Sequence, residues 1–430
     1  MRWTVPSLAL LAGLAAPSGA RAAGFYIGDV GARGLARGGA LVAAPDSPLA
    51  LHYNPAGLSL AKGLQLELSV AIVGYEASFE RRCPCVDPSL DGAEALDAAL
   101  EQSFRGNVAR TSTPLTIPFI GVSYGFEPLG FAVGFGVYGP TSGRHDYGLL
   151  GSAASPTFVE RARDKVTRYN ALEAPNIEVN YVLGLSLEPL EGLRVGAGLT
   201  LHQTGASQTL HLFADTAFAS GPEDPRWDVP LVLDFLSDPT FTWSAGLSYD
   251  IPFVPGLTVG GSFRAARSVR ADGTILVDLP AELREIARVD GEEVVVSLNT
   301  APIARFGVQW RLPEVLVAEA AFAWEGWGVN DRIVIEPQDI SFEIDGLDPV
   351  VLGEIVSERN WRDTWSLRLG GELELLEPWL GVQAGWFYEP TAIPAEWLDP
   401  SRIDLDKHGL ALGLSTEWYG VTLLGSFTYV

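Results

Sequence analysis

Three arginines, Arg264, Arg305 and Arg368, sit inside alternating apolar stretches, each in the polar phase. Guanidinium groups so placed could receive a carboxylate through paired N–H donors. They could equally pair with Glu67, Glu178, Glu372 or Glu374 and fill space. Gly121-Val122-Ser123-Tyr124-Gly125 fits the G-x-S-x-G pattern of a serine nucleophile. That pattern works on a strand-to-helix elbow, and here it lies within an alternating strand, so catalysis is not expected. The histidines His52, His145, His202, His211 and His408 lack metal-site spacing such as H-E-x-x-H. His52, in a small-residue segment, reads as a packed residue rather than a ligand. Gly134-Phe135-Gly136 lacks the βαβ context of nucleotide binding. Cys83-Pro84-Cys85 would make a strained bridge across one residue, and two thiols are too few for a metal site. No cofactor and no metal are expected.

The elements that must carry these residues alternate with period two. Leu64, Leu66, Leu68, Val70 and Ile72 share one face, and Gln65, Glu67 and Ser69 the other. Similar segments recur to the end of the chain, about thirteen in all. Arg264 lies with Thr258 and Ser262, opposite Leu257, Val259 and Phe263. Arg368 lies with Ser366 and Glu372, opposite Trp365, Leu367 and Leu369. Arg305 and Gln309 oppose Phe306, Val308 and Trp310. An arginine facing lipid at mid-depth costs ~2–4 kcal/mol, and these phases keep every guanidinium off the apolar face. Trp243, Trp365, Trp386 and Trp418 fall in outward phase near strand ends, as an aromatic girdle would. Tight turns near 126–130, 188–192, 312–315, 376–379 and 417–420 alternate with long connections. Short turns on one side and long loops on the other is the outer-membrane arrangement. The expected fold is therefore all-β, a transmembrane antiparallel β-barrel.

Residues 1–22 read as a signal peptide, with Arg2, an apolar run from Leu8 to Ala16, and Ala20-Arg21-Ala22 before the cut. Residues 23–62 are rich in Gly and Ala and end on the Asn54-Pro55-Ala56-Gly57 turn. They alternate in neither period and suggest a plug inside the lumen. Residues 63–430 form the barrel. A net charge of −24 argues against nucleic acid as a partner. The acids gather in expected loops, where solvated surface is the simple reading.

The stretch Ala36-Arg37-Gly38-Gly39-Ala40, Asp46-Ser47 and Tyr53-Asn54-Pro55-Ala56-Gly57-Leu58 resembles the N-terminal hatch of the FadL/TodX outer-membrane transporters. Gly136-Val137-Tyr138-Gly139-Pro140 resembles the end of that family's third strand. Gly261-Ser262-Phe263-Arg264 and Asp363-Thr364-Trp365-Ser366-Leu367-Arg368 are similar to later strands. The resemblance implies a fourteen-stranded barrel holding an N-terminal hatch in the outer membrane of a Gram-negative bacterium. It implies passive uptake of long-chain fatty acids or aromatic hydrocarbons, with sideways exit beside a kinked third strand. It puts Asn54, Pro55 and Ala56, with Gly24 and Phe25, on the substrate path, and the lateral gap at Gly134 and Gly136. Hydrophobic small molecules, outer-membrane lipid and the barrel-assembly machinery are the expected partners, and the protein is expected as a monomer. A general porin and a surface adhesin barrel are the alternatives. The end, Phe427-Thr428-Tyr429-Val430, resembles the family's thirteenth strand; an antiparallel barrel closes with an even number, so either the count of strands is off by one or a final strand is missing.

Overall fold

The computed structural model describes residues 28–80, 108–111, 115–126, 130–139, 143–147, 167–213, 228–280, 283–312, 315–346 and 348–430. The expected signal peptide, Gly24, Phe25, Cys83 and Cys85 lie outside these residues.

Thirteen strands form one wall. They are β1 (Gly63–Val73), β2 (Leu115–Phe126), β3 (Phe131–Tyr138), β4 (Glu173–Leu190), β5 (Leu193–Phe213), β6 (Thr240–Asp250) and β7 (Leu257–Arg264). Then follow β8 (Ile303–Leu312), β9 (Leu316–Glu325), β10 (Thr364–Leu376), β11 (Leu380–Glu389), β12 (Lys407–Trp418) and β13 (Val421–Tyr429). Each pairs antiparallel with the next. The edge strands β1 and β13 therefore run the same way. No pairing joins them among the described residues, and a strand pairing antiparallel with both would have to run the other way.

The period-two pattern sorts the side chains. On β1 the apolar members are open to the outside, Leu66 and Leu68 at 68% exposure each, while Gln65, Glu67 and Ser69 turn inward. Eleven of the thirteen strands run 8–13 residues and β4 and β5 run 18 and 21, long enough for a bilayer crossing, for which about 9–11 tilted residues suffice. Trp310, Trp379 and Trp418 are exposed at the tight-turn end, and Trp243 and Trp365 toward the other. Two aromatic rings of this kind mark the two membrane interfaces.

Above the second ring the wall continues. Asp228–Ser237, Arg267–Val277, Glu293–Thr300, Arg332–Pro337 and Ile355–Glu358 extend β6, β7, β8, β9 and β10 and pair in the same order. Each is set off by a break, at 238–239, 265–266, 301–302, 326–331 and 359–363. At this line of breaks the polarity of the two faces is exchanged. Below it, Arg194, Thr200, His202, Ser248, Gln309, Glu319 and Gln383 are buried on the inner face. Above it the inner face carries Leu231, Leu233, Ala271, Ile275, Val294, Val296 and Ile335 in one packed cluster. Outside, Asp234 and Asp272 are exposed there, and Arg270 pairs with Glu336 at 3.5 Å. A wall bathed by lipid below and by water above must make this exchange.

Candidate functional site

Residues 28–62 lie across the lower lumen. Their regular elements are short: α1 (Ala32–Ala36), α2 (Ala50–Tyr53) and a 3-10 turn over Pro55–Leu60. None is long enough to be stable alone, so the wall must hold them. Ser186 on β4, Ser248 on β6 and Ser262 on β7 donate hydroxyl hydrogen bonds to the carbonyls of Ala56, Ala43 and Tyr53, at 2.8, 2.7 and 2.6 Å. Glu319 on β9 accepts the N–H groups of Val42 and Ala43 at 2.5 and 3.0 Å. Its other oxygen takes Arg37 at 3.1 Å, and Glu372 on β10 takes Arg37 and Arg33 at 2.9 and 2.7 Å. Arg33 also pairs with Asp46. A buried guanidinium is tolerable only when paired in this way.

Asn54 is fully buried at the junction. Its Nδ2 donates to the Val42 carbonyl at 2.8 Å and the Leu247 carbonyl of β6 at 3.0 Å, and its Oδ1 caps Ala56 N–H at 3.1 Å. The amide thus ties two limbs of the segment to each other and to the wall. Close approach is bought by inward glycines. A Cβ on Gly246 would strike the Asn54 side chain, and one on Gly196 the backbone at Pro55 and Ala56.

The predicted arginines take separate places. Arg368 Nη1 reaches Asp29 at 2.5 Å and the Gly38 carbonyl at 3.2 Å, and Nη2 reaches Glu389 at 3.3 Å. The chain of charges runs on from Glu389 to Lys407 at 2.5 Å and to Asp404 at 2.9 Å. Arg368 is therefore paired, though with none of the four glutamates named from the sequence. Arg305 donates to the His52 carbonyl at 3.3 Å and stands 5.9 Å over the Tyr53 ring. Arg264 contributes its charge to the same chamber, felt by His52 and Tyr138. His52 is packed, as the sequence suggests: it stands edge-on to Tyr53 and Tyr138 and hydrogen-bonds the Gly28 carbonyl at 2.9 Å. Burial, then the Arg305 and Arg264 charges, holds its imidazole well below its ordinary pKa. The ring is neutral and donates from Nε2.

Gly134 and Gly136, expected at the lateral gap, lie in a paired part of the wall. Strand β3 is paired along its whole length, Phe131–Tyr138 with Phe126–Phe119 of β2 and Leu187–Asn180 of β4. The two glycines turn inward, where Leu58 and Leu51 would lie 3.0 and 2.9 Å from added Cβ atoms. The break comes after Tyr138. The next paired stretch, Gly143–Asp146, follows β4 alone. Leu115–Pro118 of β2 keeps β1 on one side and, among the described residues, has no strand on the other. Pro118 has no N–H to leave unpaired on that edge. The outward residues beside it, Val70, Ile72 and Ile120, are exposed and apolar, and the inward ones include buried Phe119 stacked on Tyr138 at 5.8 Å.

Sequence reasoning missed Glu319, Ser186 and Ser248, and placed Ser262 on the inner face without its role. The signal was present as one inward acid among Val317-Ala318-Glu319-Ala320-Ala321. Its meaning depends on a segment more than 270 residues earlier.

A family model described as outer membrane protein transport protein (OMPP1/FadL/TodX) matches residues 13–422. Among solved structures, a Pseudomonas aeruginosa FadL homologue aligns at 15% identity over 94% of this chain and 90% of its own, with a TM-score of 0.69. The Pseudomonas putida toluene transporter TodX aligns at 15% identity over 93% of this chain and 91% of its own, with a TM-score of 0.64. The Ralstonia pickettii toluene transporter TbuX aligns at 13% identity over 94% and 97%, with a TM-score of 0.57. These likenesses establish the fold. No curated protein matches the sequence.

Proposed function

This chain belongs to the outer membrane protein transport family (OMPP1/FadL/TodX), and we propose that it admits hydrophobic compounds by passive diffusion through its upper lumen and out sideways into the membrane. The observation that carries this is the exchange of polarity at the line of strand breaks. An apolar inner lining stands above the membrane, over a lower lumen that is polar and filled by residues 28–62. A greasy molecule gains by leaving water for that lining and loses by continuing straight down. The sideways route is the β2 edge at Leu115–Pro118, which among the described residues has no strand on its β3 side and whose outward neighbours belong to the lipid face. Residues 28–62 act as the hatch, with Asn54, Pro55 and Ala56 as its anchor on the wall rather than groups that handle substrate.

Expressed in a strain lacking its own transporter, the protein should speed entry of labelled oleate or labelled toluene over the empty strain. If neither enters faster, the proposal fails. A general porin is disfavoured by the occupied lumen.

A further inference from the structure

The apolar lining of the upper lumen does not stand open. A second, smaller sheet lies over it, made of Ala287–Asp290, Ser341–Ile344 and Val350–Val351, paired antiparallel. Ile340, where this sheet begins, is fully buried in one cluster with Leu231, Ile275 and Val294 of the lining. Val289 and Leu352 pack against the same cluster. The register puts Ala287, Val289, Phe342 and Ile344 on one face of the small sheet and Arg288, Asp290, Ser341 and Glu343 on the other. Val289 identifies the apolar face as the one laid on the lining. The polar face looks away from it, and there exposed Arg288 pairs with Glu343. An amphipathic sheet so placed keeps water off the lining.

Its attachment is that of a flap. Among the described residues no strand of it joins the ladder of the wall, so lifting it parts side chains and leaves the wall's backbone hydrogen bonds intact. Two of its limbs leave the wall at one point. Gly291 stands between Ala287–Asp290 and the wall stretch Glu293–Thr300, and Asp339 between the wall stretch Arg332–Pro337 and Ser341–Ile344. Both hold positive φ, 83° and 58°, a region that glycine enters freely and aspartate more readily than most residues. The two turns touch, since a Cβ on Gly291 would lie 2.8 Å from the Asp339 carbonyl oxygen. Just on the wall side, Gln338 N–H donates to the Glu293 carbonyl and Ile275 N–H to the Glu292 carbonyl, each at 2.8 Å. The return limb passes through Gly353, where an added Cβ would meet nothing within 4 Å. Large changes of φ and ψ confined to a few such residues are how hinges work.

We propose that the small sheet is a lid on the upper lumen, turning about Gly291 and Asp339, and that a hydrophobic compound reaches the lining by displacing it. This rests on the uptake function proposed above and adds a gate to it. With the lid down, Val289, Ile340 and Leu352 occupy the apolar surface that the compound needs, so lid and compound compete for one place. A compound that binds only with the lid raised draws the population toward that form. Its apparent affinity is reduced by the fraction of molecules whose lid is down.

The test is thiol labelling of the purified full chain in lipid nanodiscs by a charged maleimide, with and without dodecanol as the hydrophobic probe. Labelling is read by mass spectrometry on the peptide that carries the new thiol, so that Cys83 and Cys85 are counted apart. Ile340→Cys and Val289→Cys report the lid, Val296→Cys the lining, and Val351→Cys, at an exposed position, sets the rate for an open site. Saturating dodecanol should speed labelling of Ile340→Cys and Val289→Cys by about threefold or more, and slow that of Val296→Cys by a similar factor. Val351→Cys should not respond. Lid positions that ignore dodecanol would make the small sheet a fixed part of the core and overturn the proposal. Slower labelling at lid and lining together would mean that the compound slips beneath a sheet that stays down, and overturns it too. The folded band on unheated gels checks each variant. Val289 is only partly buried, so Val289→Cys carries the test if Ile340→Cys does not fold. Toluene uptake in the complemented strain keeps the two readings apart: entry that persists while the lid positions ignore dodecanol removes the lid alone, and absence of entry removes the uptake function.

Discussion

At the scale of single residues, the most consequential group is Asn54, which is polar, fully buried and completely satisfied. Replacing it by alanine takes the Asn54 partner from the Val42 carbonyl and the Ala56 N–H, while the Leu247 carbonyl, in the paired strand β6, loses only an added donor. Each such orphan costs about 1–3 kcal/mol, and partial relaxation should hold the total near the lower values. Asn54→Ala should destabilise the protein by roughly 2–4 kcal/mol, read as a lower urea midpoint for loss of the folded band on unheated gels. An unchanged midpoint would mean that the anchor lies elsewhere. The turn itself was legible, because Asn-Pro-Ala-Gly is a local pattern. Its partners were not, since Leu247 is nearly two hundred residues away and offers only a carbonyl. The same holds for Arg368. Phase alone put its guanidinium inside, but its partners Asp29 and Glu389 became evident only when the segment and β11 were folded against it.

At the scale of elements, the wall is shaped to the hatch by glycine. Period two made nearly every strand readable, because lipid on one face tolerates no polar side chain. It could not separate the membrane strands from their extensions, since alternation continues through the breaks while its meaning is exchanged. It also could not tell a glycine that opens a strand from one that admits a neighbour. Gly196→Val tests the second kind. Its side chain would meet the Pro55–Ala56 backbone, which has nowhere to yield, so the hatch must shift. Larger ion conductance in planar bilayers and sensitivity of cells to a large polar antibiotic should follow. Gly134→Ala would come within 3.0 Å of the tip of Leu58 and 3.4 Å of Leu51 and the Val122 carbonyl, ordinary contacts but for the first, and should alter neither conductance nor hydrocarbon entry. Lost uptake in Gly134→Ala would restore the lateral gap to β3.

At the scale of the whole molecule, the line of breaks is where the membrane ends, and that can be tried with one charge placed on each side of it. Leu68 is outward on β1, in the band of exposed apolar residues between the two aromatic rings. An arginine there must sit in hydrocarbon and costs ~2–4 kcal/mol at mid-depth. Ser268 is also outward, yet it stands just above the break at 265–266, beside exposed Arg270 and Asp272. An arginine there meets water and should cost less than about 0.5 kcal/mol, as for an ordinary surface change. The folded fraction of Leu68→Arg in isolated outer membranes should therefore fall sharply, while Ser268→Arg should match the unaltered protein. Equal losses at both sites would place Ser268 in lipid. The upper lining would then lie at membrane depth, and its apolar character would reflect core packing instead of a route for greasy molecules. Equal tolerance at both would remove the lipid-facing wall, and with it the reason for the lumen to be polar below and apolar above.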